Sequence, residues 1–146
     1  MKEENDMTSE QITSVQTSFA LVRPIADTAA TLFYDRLFEL NPSLRGLFEE
    51  DLREQRKKLM AMLATAVDNL HRWDTLAPHV KQLGQRHVGY GVQPADYDTV
   101  GSALINTLEK GLGDAFTPSV RDAWLACYTT IAAEMQAVEP AKTVKA

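Results

Sequence analysis

Cysteine is almost absent from this chain of 146 residues: Cys127 stands alone, which excludes an internal disulfide framework and suits a reducing compartment. Long hydrophobic runs are absent too. The uncharged stretch from Ala123 to Ala133 is too short and too polar to span a bilayer. The opening Met1-Lys2-Glu3-Glu4-Asn5-Asp6 is acidic and has no apolar core, so it does not read as a secretory signal. Positive charge is in deficit, with 15 Lys and Arg against 20 Asp and Glu; the net charge of -5 argues against nucleic acid or an anionic membrane as a general partner. There is no Gly-x-Gly-x-x-Gly fingerprint of a dinucleotide site and no Cys-x-x-Cys-His motif. Repeats, low-complexity linkers and runs of period two are missing as well, so strands are not expected. What remains is a cytoplasmic, all-α domain.

Hydrophobic residues make up 45% of the chain, enough for one folded core at this length. The punctuation is helical. Thr8 with Gln11 fits a capping box, and Met7 with Ile12 fits a hydrophobic staple. Ile12, Val15, Phe19 and Val22 then share a face. Pro24 suits the first turn of a second helix carrying Ala29, Leu32, Phe33, Leu37 and Phe38. Asn41-Pro42 reads as a cap and first-turn proline of a short third helix that Gly46 ends. Glu49-Glu50-Asp51 starts a long helix with Leu59, Met62, Leu63, Ala66 and Val67 on its apolar face, followed by a segment that Asp74 caps. Pro94 and Thr117-Pro118 open two more helices, and Pro140 ends the last. About seven helices of unequal length with short turns point away from a plain four-helix bundle and toward a globin-like packing. The expected organisation is an extension over 1–7, one domain over 8–139 and a disordered tail over 140–146.

His71 and His79 sit among polar neighbours and read as surface residues. His87 differs. It follows Leu76, Val80 and Leu83 on one stripe, and the glycines Gly89 and Gly91 come just after it. A core histidine with one hydrogen bond and a metal-ligating histidine both fit this pattern. No cysteine or carboxylate stands near it at zinc-site spacing, so the ligand role left open is axial coordination of haem, for which one imidazole suffices. A haem would need an apolar slot and a ring stacked on it. Phe48, Tyr34, Gln55 and Leu59 could serve, although core packing or a boundary position would explain each alone.

The ordered set Thr31-Leu32-Phe33-Tyr34-Asp35-Arg36-Leu37-Phe38, Asn41-Pro42 with Leu47-Phe48, Gln55-Arg56-Lys57-Lys58-Leu59-Met60, Leu83-Gly84-Gln85-Arg86-His87, and the pair Tyr97 and Trp124 resembles the globin family. The likeness is greatest to bacterial single-domain globins and the globin domain of flavohaemoglobins, and covers roughly residues 8–139. It implies a three-over-three helical sandwich around haem b. The haem would be non-covalent, since the Cys-x-x-Cys-His motif is missing. His87 would be the proximal iron ligand and Phe48 the ring on the porphyrin. Tyr34 and Gln55 would lie on the distal side, with Leu59 as the apolar wall. Tyr97 and Glu139 would surround the proximal histidine, and Lys58 and Arg86 are candidate partners for the haem propionates. Tyr90 has no assigned role beyond a turn aromatic.

Bound oxygen takes on partial negative charge, so a hydroxyl and an amide N–H aimed at it would slow its release, whereas carbon monoxide would gain less. The resemblance therefore implies reversible binding of oxygen, nitric oxide and carbon monoxide with high oxygen affinity. The alternative is nitric oxide dioxygenase or a related redox activity, with Tyr34 and Gln55 as the working pair and an external reductase; a gas sensor ranks third. The basic run Arg53, Arg56, Lys57, Lys58 would be a docking surface for that reductase or a solvated face. Glu139 stands beside Pro140 at a helix end, where a terminal turn frays easily.

Overall fold

The computed structural model of the chain describes residues 7–89 and 91–137. Within them lie six α-helices: α1 (Ser9–Val22), α2 (Ala26–Leu40), α3 (Arg53–Asp68), α4 (Trp73–Gly89), α5 (Pro94–Leu112) and α6 (Pro118–Gln136). Four short 3-10 segments join them. No strand occurs among the described residues, and no helix there is long and apolar enough to cross a membrane.

The starts of the helices follow local chemistry. Thr8 Oγ1 accepts from Gln11 N and Gln11 Oε1 accepts from Thr8 N, both at 3.0 Å, which satisfies two donors that the first turn of α1 would leave open. Thr117 Oγ1 caps α6 by accepting from Val120 N at 3.2 Å. Pro94 and Pro118 each occupy a first-turn position, where a missing N–H costs nothing.

Several boundaries differ from expectation. Pro24 does not open α2; it lies in the 3-10 segment Arg23–Ile25, and α2 begins at Ala26. The segment after Asn41 is a 3-10 helix, Pro42–Leu47, which runs through Gly46. Asn41 is extended (φ -150°, ψ 90°), as a residue before proline must be to avoid the ring, and its Oδ1 accepts from Ser43 N at 3.2 Å. Glu49, Glu50 and Asp51 precede α3 rather than forming its first turn. The cap position is Leu52, which makes no side-chain cap bond; Asp51, one residue earlier, accepts from Arg53 N at 3.0 Å through Oδ1. Asp74 falls inside the first turn of α4. Tyr90, Val138, Glu139, Pro140 and the tail beyond lie outside the described residues.

The broadest helix contacts are α2 on α5, α1 on α6 and α4 on α6. Trp124 and Phe19, both almost fully buried, meet at 6.1 Å between ring centres where α6 crosses α1. The Trp124 indole donates to Ser18 Oγ at 2.9 Å, so the buried hydroxyl and the buried indole satisfy one another. Gly84 lies where α4 crosses α6; a methyl group there would overlap the backbone of Met135. The two helices pack this closely because Gly84 has no side chain.

By contrast, α4 makes no broad contact with α3 or α5 among the described residues. The consecutive helices α3 and α4 therefore meet mainly through the turn between them. Burial agrees. On α4, Leu76 and Val80 are buried while Leu83, His87 and Val88 are half-buried. On α3 the order is reversed along the chain: Leu59, Met60, Met62 and Leu63 are half-buried, and Ala66 and Val67 are buried. Both helices thus bury the ends that meet the turn Leu70–Arg72 more fully than their far ends.

Candidate functional site

Three of the residues singled out in the sequence, Tyr34, Gln55 and Phe48, meet directly. Tyr34, on α2, is 4% exposed. Gln55, on the first turns of α3, donates its Nε2 hydrogen to the Tyr34 hydroxyl at 3.1 Å. Burial pushes the Tyr34 pKa up, and the smaller opposing effect of the Gln55 bond does not cancel it, so the phenol stays neutral at pH 7. With its oxygen accepting from Gln55, Tyr34 retains its own proton, which it donates to no described protein group.

Phe48 follows the 3-10 helix with extended backbone (φ -121°, ψ 156°), and this turns its ring inward. Its ring meets Tyr34 at 5.5 Å and Phe38 at 5.6 Å, both edge to face. Phe38 also lies 6.0 Å from Tyr34. These three rings form one cluster in which a shift of any ring moves the others. Phe38 had been read only as a core residue; its place beside Phe48 depends on the non-local meeting of α2 with the following loop. Leu59, one turn beyond Gln55, lines a small cavity of about 20 Å³ with Phe33, Met60, Leu63, Leu104 and Leu108.

On α4, His87 Nδ1 lies 2.8 Å from the Leu83 carbonyl. A carbonyl only accepts, so Nδ1 carries the hydrogen, and the lone pair of the neutral ring is on Nε2. Burial lowers the His87 pKa more than this backbone bond raises it, which keeps the ring neutral. Tyr97 is half-buried at the start of α5, and its carbonyl accepts from Tyr128 Oη at 2.6 Å. No local sequence signal points to Tyr128 here, because its hydroxyl reaches 31 residues back along the chain. Lys58 and Arg86 are exposed. Glu139 and Tyr90 lie outside the described residues.

The fit to a flat apolar group rests on this chain alone. Leu59 and Leu83 are half-buried, and the neutral His87 imidazole, its Nδ1 bonded to the Leu83 carbonyl, is of the type that serves as a single axial ligand. No group of three or more His, Cys, Asp or Glu among the described residues could hold a metal ion by itself. The donor set therefore suits a metal carried within a larger group that needs one protein ligand.

Comparison with known proteins decides the family. The family model described as Globin matches residues 31–135, well over half of the chain. The chain belongs to the globin family. The matched span of this globin includes Tyr34, Phe48, Gln55, Leu59, His87 and Tyr97 and stops before Glu139. Members of the family normally bind haem. The globin is 31% identical over 121 residues to the flavohemoprotein of Bacillus subtilis, covering 81% of this chain and 30% of that protein. It is 34% identical over 103 residues to the flavohemoprotein of Oceanobacillus iheyensis, covering 68% of this chain and 25% of that protein. It is also 32% identical over 118 residues to the neuroglobin of Tetraodon nigroviridis, covering 71% of this chain and 74% of that protein. The chain thus spans less than a third of the length of these two flavohemoproteins.

Proposed function

We propose that this globin holds haem b non-covalently between α3 and α4, with His87 as its axial iron ligand, and binds oxygen, nitric oxide and carbon monoxide reversibly, with high affinity for oxygen. The observation that carries the reading is the buried Tyr34–Gln55 pair, joined at 3.1 Å beside Phe48. The bound haem would supply an iron that takes a diatomic gas. The protein's part is to hold and surround it. Phe48, Leu59 and Leu83 offer apolar surface to the porphyrin, while the exposed Lys58 and Arg86 suit its propionates at the rim. The Leu83 carbonyl fixes the tautomer and orientation of His87.

The distal pair sets the preference among gases. Tyr34 has a proton to give, and Gln55 orients the phenol while offering a second amide hydrogen. Hydrogen bonds to a charged acceptor contribute about 1.5–3 kcal/mol each, and about 1.4 kcal/mol is a factor of ten, so the two together slow oxygen release on the order of a hundredfold or more. Carbon monoxide, with less charge, gains less. The first test is the absorption spectrum of the purified protein with haem in ferric, ferrous and oxygenated forms; no Soret shift on adding haem would overturn the reading.

A second reading is oxidation of nitric oxide to nitrate, with electrons from a reductase. It is supported by the similarity to proteins whose name, flavohemoprotein, joins a flavin to a haem. Repeated nitrate formation from nitric oxide and oxygen with a reductase present supports this reading. A single stoichiometric turnover favours gas binding alone.

A further inference from the structure

Arg45 lies in the 3-10 helix Pro42–Leu47 and is half-buried. Its guanidinium reaches forward along the chain. Nη1 donates to the Glu49 carbonyl at 2.9 Å and to the Phe48 carbonyl at 3.4 Å, and Nη2 donates to the Glu50 carbonyl at 2.8 Å. These three carbonyls belong to the loop before α3, which has no helical ladder of its own. The same guanidinium sits 5.4 Å from the centre of the Phe38 ring. Phe38 packs edge to face on Phe48, so Arg45, the loop backbone, Phe48 and Phe38 form a closed circuit, and Tyr34 touches both rings. The clamped carbonyls end at Glu50. Asp51 then accepts from Arg53 N, the first residue of α3, and Gln55 stands on its first turn.

We propose that Arg45 is the positioning residue of the distal side: by clamping the backbone of residues 48–50 it fixes the Phe48 ring and the start of α3, and thereby the aim of the Tyr34–Gln55 pair. The inference deepens the proposed function and rests on it for its ligand readout. The chemistry requires arginine. A planar fork of five donors can serve three carbonyls at once and still stack on a ring, whereas an ammonium is a point charge that serves them in turn.

The test compares Arg45→Ala and Arg45→Lys with Arg23→Ala. Arg23 is a matched control, because its guanidinium also covers a phenylalanine, Phe19, at 4.8 Å, but it pairs with Asp68, at the opposite end of α3 from Gln55. Hydrogen exchange of residues 48–54 is measured first, since it needs no haem. The oxygen dissociation rate and the C–O stretching frequency of the carbon monoxide form follow. Arg45→Ala is expected to speed exchange in that segment alone, to raise the oxygen dissociation rate about tenfold, a shift of about 1.4 kcal/mol, and to move the C–O stretch toward that of Tyr34→Phe. Arg45→Lys is expected to rescue little of this, and Arg23→Ala to leave the ligand readouts at wild-type values. A lower melting temperature with unchanged dissociation rate and C–O stretch would show Arg45 to be merely structural and overturn the proposal. If Arg45→Ala does not fold, Arg45→Lys, which keeps charge and stem, decides the same question. Failure of the wild-type chain to take up haem would remove the functional reading instead. The exchange arm then decides the clamp: local deprotection supports it, and unchanged protection overturns it.

Discussion

Gln55 and Tyr34, 21 residues apart, are joined by an amide-to-hydroxyl bond of 3.1 Å that ties α3 to α2 inside the aromatic cluster. The bond is directional: the amide gives and the phenol oxygen receives, so the phenol proton is left to serve a ligand. Tyr34→Phe removes that proton and should raise the oxygen dissociation rate about 10- to 150-fold, from the loss of about 1.5–3 kcal/mol. Gln55→Leu should raise it less. In the double variant the two effects should not multiply, because Gln55 acts partly through Tyr34. Stopped-flow displacement of oxygen by carbon monoxide measures all three variants; rates equal to wild type would show that neither group reaches the ligand.

His87 makes a different prediction. His87→Gly should lose the proximal bond, weaken haem retention and change the ferrous spectrum. Imidazole added to the variant should restore a five-coordinate spectrum, because the Leu83 carbonyl that orients the ring is left in place. A spectrum identical to wild type without imidazole would remove His87 from the iron.

Packing at the α4–α6 crossing can be tested without haem. Gly84→Ala forces a methyl into the Met135 backbone, which cannot rotate away as a side chain would. Overpacking of this kind costs about 1–3 kcal/mol, read as a lower urea midpoint at unchanged slope. A variant as stable as wild type would mean that the two helices separate freely.

Alkaline pH should unfold the protein, and the sign follows from three buried acids. Burial pushes the Cys127 thiol up from 9.0 to about 12, and raises Tyr34 and Tyr128 above 10.0. Between the unfolded and folded values the native state holds the proton and the unfolded chain has released it. Stability is therefore full below pH 9, falls as pH rises through the unfolded values, and stops falling only near the folded ones. Cys127→Ala should remove the earliest part of the decline, which begins near pH 9, about one unit below the midpoint of the unfolded tyrosines. Urea midpoints from pH 7 to 10.5 measure it; identical slopes in wild type and variant would show that the thiol does not contribute.

Much of this molecule was written in local sequence. Thr8 with Gln11, Thr117-Pro118 and Pro94 marked true helix starts, because caps and first-turn prolines act on backbone groups only a few residues away. The stripe of Leu76, Val80, Leu83 and His87 was legible for the same reason, since a helix repeats within four residues. Boundaries set by competing short-range bonds were less legible. Pro24 and Gly46 looked like a start and a stop, yet both lie inside 3-10 segments.

The sequence by itself determined an all-α chain with one imidazole at the end of an apolar stripe, and its ordered motifs identified the family. It did not determine what surrounds that imidazole. The lack of broad contact between α3 and α4, the bond from Gln55 to Tyr34, the reach of Tyr128 to the Tyr97 carbonyl and the seat of Arg45 against Phe38 were decided by tertiary structure. A hydrophobic pattern fixes which side of a helix turns inward, because burial depends only on facing. It cannot fix which helices meet or leave a gap, because that depends on side-chain volumes brought together from across the whole fold.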